Sequence, residues 1–147
     1  MRGSKIYLPS SEWTCEGKPM ASFRAEADAL LAMLAEIRKN ILYREMRCAF
    51  LGRLRERSEA MLIEMRSRPD TDPHKALVTM LLTAAYGTGE DEFTTPKLDA
   101  LQTALVVLGA TAIGPRDMER VRSAMLWAGL LGRGYSGGKR ATVDGKY

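Results

Sequence analysis

The chain has 147 residues, 46% of them hydrophobic and 27% charged, with a formal net charge of +4; this is the balance of one ordinary globular domain. Its single histidine (His74) and two cysteines (Cys15, Cys48) are 33 and 26 residues apart, so they lack the short paired spacing of a zinc site, and no metal or cofactor is expected. No spacing joins its serines, cysteines, lysines or carboxylates into a nucleophilic or acid–base set, and the chain reads as non-enzymatic.

Residues 1–21 hold Pro9, Pro19, the short apolar run Ile6-Tyr7-Leu8 and Trp13, a pattern that predicts an extended arm. Pro9, Glu12, Trp13 and Glu16 interrupt any leader-like run. The longest uncharged stretch, Ala100–Pro115, falls short of the roughly 20 residues of a membrane span. The expected setting is therefore cytoplasmic, with no membrane partner and with both thiols reduced.

From Ser22 to Arg68 there is no proline, Gly52 is the one weak point, and strong helix formers dominate. A single helix of that length would run roughly 70 Å, against about 40 Å for a compact body of this size. Phe23, Ala27, Leu30, Leu34, Ile37 and Ile41 form one apolar stripe, after which Leu42, Met46, Phe50, Leu54, Met61 and Met65 take over on a neighbouring face. The propensities favour a long N-terminal helix, continuous or kinked. A break at Asn40, after the basic pair Arg38-Lys39, is the other reading. In the long-helix form the second stripe overhangs the body and needs a cover. Leu42, Met46, Phe50, Leu54, Met61 and Met65 then make a protein interface, with Arg47, Arg53 and Arg57 as its polar rim. In the hairpin form Phe50 is core, and the search for an interface moves to Trp13, Trp127 and the C-terminal tail.

Three helix starts follow, each a cap residue before proline: Asp72-Pro73, Thr95-Pro96 and Gly114-Pro115. With glycines as left-handed stops at Gly87, Gly109 and Gly132, they predict helices over 73–86, 96–108 and 115–131. The first is apolar nearly all round and belongs at the centre of the core; the other two carry single stripes and should pack on one another. His74, in the first turn of the 73–86 helix, reads as a surface residue whose charged form the dipole disfavours. Residues 132–147 are glycine-rich and basic, a tail or small hairpin. The fold class is all-α, a single helical domain over 22–131.

Charge is unevenly placed. Residues 38–68 hold nine Lys/Arg against four Glu, residues 69–99 two against six acids, and residues 132–147 four against one. The basic segment reads first as a solvated helix face partly paired with its own glutamates. The functional expectation is a helical interaction protein of the kind found on phages and plasmids: an assembly component, adaptor or protein inhibitor. Its partner would be a protein, either a second copy or a different chain. The alternative is a DNA-binding regulator. There the 96–108 and 115–131 helices would act as a helix-turn-helix and the tail as a wing, with Arg116, Arg120, Arg122, Lys139 and Arg140 on the nucleic acid.

Overall fold

The structure, a computed structural model, describes residues 17–89 and 91–132, with side chains from Phe23 onward. These residues form five α-helices and no strand: α1 (Gly17–Lys39), α2 (Arg44–Glu64), α3 (Pro73–Gly87), α4 (Thr95–Leu108) and α5 (Pro115–Ala128). The all-α expectation holds. Residues 1–16 and 133–147, with Trp13, Cys15, Lys139 and Arg140, lie outside the described residues.

The long helix is replaced by two. Asn40 ends α1, its N–H donating to the carbonyls of Glu36 and Ile37, and its own carbonyl accepts the Tyr43 N–H at 2.9 Å. Its side-chain Oδ1 accepts the Leu42 N–H at 3.2 Å. One asparagine thus closes a turn and an Asx bond at once, which is why this residue type stops a helix that propensity would continue. α2 folds back on α1 as a helical hairpin, and the change of stripe at residue 41 is the change of face that folding back requires. α1 also starts earlier than expected, at Gly17, because Pro19 falls in the first turn, where no N–H is needed.

All but the ends of both stripes is consequently core. Phe23, Ala27, Leu30, Leu34 and Ile37 are buried from α1, and Phe50, Leu54, Met61 and Met65 from the α2 side. α3 packs on α2, α4 and α5 and buries Leu77, Val78, Met80, Leu81, Ala84 and Ala85, the central position its all-round apolarity predicts. α4 lies against α1 and α5. Asp72 caps α3 as expected, accepting the His74 and Lys75 N–H groups. α4 begins one residue earlier than expected, so that Thr95 is its first helical residue and the cap is Thr94, which accepts the Lys97 N–H. Gly114, having no side chain, is capped in reverse, its N–H donating to Asp117 Oδ2 at 3.1 Å.

The stops differ from expectation. Among the described residues the single left-handed glycine is Gly129, at φ 82°. It ends α5 three residues before the predicted Leu131, and the Leu130 N–H closes the end on the Met125 carbonyl at 2.9 Å. The reversal turns Leu130 and Leu131 into the core. A helix continuing through them would keep to its own cylinder.

Candidate interaction surface

The apolar patch expected on α2 does not exist. Phe50, Leu54, Met61 and Met65 are covered by the chain itself, Met46 is half-buried against the core, and only Leu42, at 81% exposure, stands in solvent. The arginines expected at its rim bind intramolecularly instead. Arg53 and Arg57 both reach Glu26 of α1, at 3.0 and 3.1 Å, and clasp the two helices of the hairpin. Arg47 is buried and faces Asp91 of the α3–α4 loop at 3.8 Å, beside Arg44. That loop is anchored by Phe93, which meets Phe50 edge-on with ring centroids 6.1 Å apart. Arg55 donates to the Ala85 carbonyl at 3.0 Å and lies over the Tyr86 ring, while the Tyr86 hydroxyl donates to Glu59 at 2.7 Å. That bond to a carboxylate holds the Tyr86 hydroxyl above its ordinary pKa of 10.0.

His74 is not on the surface. It is buried, with its ring against Phe23 at 5.8 Å and Nε2 without a partner. Desolvation lowers its pKa from 6.5; Arg68 adds to the shift, while the Asp72 carboxylate and a hydrogen bond to the Ala110 backbone oppose it. The described residues contain no group of three or more His, Cys, Asp or Glu able to hold a metal ion, and no helix long and apolar enough to cross a membrane. Cys48 is a free, exposed thiol.

What remains open is the outer face of α4 and α5. A shallow groove of about 340 Å³ runs between them, lined by Asp99, Gln102, Thr103, Val106 and Arg120. On the far side of α4 a second depression of about 240 Å³ is lined by residues that include Leu31, Leu105 and Val106, so Val106, itself exposed, forms the ridge between the two. Arg38 of α1 braces the start of α4, bonding Asp99 at 2.6 Å and Gln102 at 2.7 Å. On α5 only Val121 and Met125 are buried. Trp127 stands 89% exposed, two turns beyond Arg120 and therefore on the same side of the helix. The single apolar stripe expected on this helix is the face it buries, with Val121 and Met125 in the core, and Trp127, in the sequence a second choice for an interface behind the α2 stripe, lies off it.

The proposed nucleic-acid residues are split. Arg120 pairs with Asp117 and Arg122 with Glu119, each within its own helix, and Arg122 is half-buried. Arg116 is exposed and, among the described residues, engages no ion pair or hydrogen bond. Comparison with family models, with curated proteins and with solved structures gave no match.

Proposed function

We propose that the chain is a non-enzymatic helical interaction protein, an adaptor, assembly component or protein inhibitor, that docks on another protein through the outer face of α4 and α5. The observation that carries this reading is Trp127, almost wholly in solvent on a helix whose neighbouring side chains offer it no cover. A tryptophan can bury some 150–250 Å², and at about 25 cal/mol per Å² several kcal/mol of hydrophobic stabilisation is left unused by the fold. Together with arginine, tryptophan is the residue type most often found to dominate binding energy at protein interfaces. The groove beside Arg120 supplies polar and apolar walls for a neighbouring element.

The test is capture from the native source, with and without nuclease. Trp127→Ala is expected to lose the captured protein while Leu42→Ala keeps it, with unchanged far-UV circular dichroism for both. A partner lost on nuclease digestion alone would instead favour DNA, carried by Arg116, Arg120, Arg122, Lys139 and Arg140.

A further inference from the structure

We infer that this face takes a second copy of the chain, the two α5 helices pairing antiparallel about a two-fold axis so that Trp127 of each stacks on Arg116 of the other. The inference rests on the proposed docking face and names its occupant. Among the exposed side chains of α5, Arg116, Arg120, Ser123 and Trp127 follow one another at intervals of four, three and four, the seam spacing of paired helices, with the exposed Glu119 flanking them. In an antiparallel pair such a seam forms layers of opposite heptad positions. Trp127 then meets Arg116 of the other copy, while the small Ser123, whose hydroxyl donates to Glu119, lies opposite Arg120, which keeps its own partner Asp117.

Chemistry selects this direction. The seam is cationic at its start, small in its middle and aromatic at its end, so a reversed copy sets guanidinium on indole at both ends. A parallel copy would set Arg116 on Arg116, which repels, and Trp127 on Trp127, leaving neither indole with a guanidinium. Among the described residues Arg116 is also the one arginine that makes no ion pair or hydrogen bond, leaving its guanidinium available to the indole. α5 has 14 residues, about 21 Å of helix; an interface of that length is small, and the pair should be weak and concentration-dependent.

Sedimentation equilibrium of the full chain tests this. The average mass should rise from 16.3 kDa toward twice that value as concentration increases. Trp127→Ala and Arg116→Ala should each weaken association by about tenfold or more, whereas Trp127→Phe, which keeps an aromatic face, should weaken it less. Mixing the two alanine variants is the specific arm: a mixed pair keeps one tryptophan–arginine contact, so the mixture should associate more strongly than either variant alone. A wild-type mass fixed at one chain, or a mixture no better than its components, overturns the pairing. A wild-type monomer that still loses a captured protein on Trp127→Ala overturns the pairing and leaves the docking face standing.

Discussion

His74 shows how a residue's surroundings reverse the reading of its type. In the first turn of α3, a histidine is ordinarily solvated; here Phe23 from α1 and the backbone of Ala110 from the α4–α5 turn close over it. Because burial lowers its pKa from 6.5 in the folded state, the unfolded chain takes up the proton first as pH falls. Stability is therefore full above pH 6.5 and declines as pH drops below it toward the folded-state value. The expected observation is a urea midpoint that falls between pH 7.5 and 5, with His74→Leu flattening that slope over the same interval; an equal slope in the variant would assign the effect to other groups. Gly129 gives a second residue-scale prediction. Its φ of 82° is unfavourable for a residue with a Cβ, so Gly129→Ala should cost about 1–2 kcal/mol in chemical denaturation, although no neighbour would clash with the added methyl.

At the scale of elements, the α1–α2 hairpin is held by a side chain the sequence did not mark. Glu26 is only 11% exposed and bridges Arg53 and Arg57; both arginines are more than a third exposed, so solvent screens the pair. Glu26→Gln should lower stability by about 1 kcal/mol, and the loss should largely vanish in an Arg53→Ala, Arg57→Ala background, where the clasp is already gone. Helix starts were legible because their signals are local: Asp72 and Gly114 sit beside the prolines they introduce, Thr94 caps one residue ahead of the expected Thr95, and each cap bond spans three residues or fewer. The Asn40 break was legible only as an alternative. Helix propensity sums over the whole of 22–68, whereas the break is decided by burial of Phe50 and Leu54 against residues far along the chain. The same non-locality hid the end of α5, where Leu130 and Leu131 are drawn into the core by helices that precede them.

For the molecule as a whole, folding redistributes the charge that makes the sequence look basic. All nine lysines and arginines between residues 38 and 68 are engaged: Arg38, Lys39, Arg44, Arg47, Arg53, Arg57 and Arg68 with carboxylates, Arg55 and Arg66 with backbone carbonyls. Several of the acids come from outside that segment, notably Glu26, Asp91 and Asp99. An arginine already facing a carboxylate gains less from a phosphate, because the exchange releases fewer counterions. The described body is therefore expected to contribute little to nucleic-acid binding. Any retention on immobilised duplex DNA at low salt should disappear by about 0.2 M salt. It should respond far more to Lys139→Ala with Arg140→Ala, on the basic segment beyond residue 132, than to Arg120→Ala with Arg122→Ala, whose partners lie within α5. An equal or larger loss from the Arg120 and Arg122 substitutions would make α5 a DNA-contacting helix and would transfer its exposed face from a protein partner to the duplex.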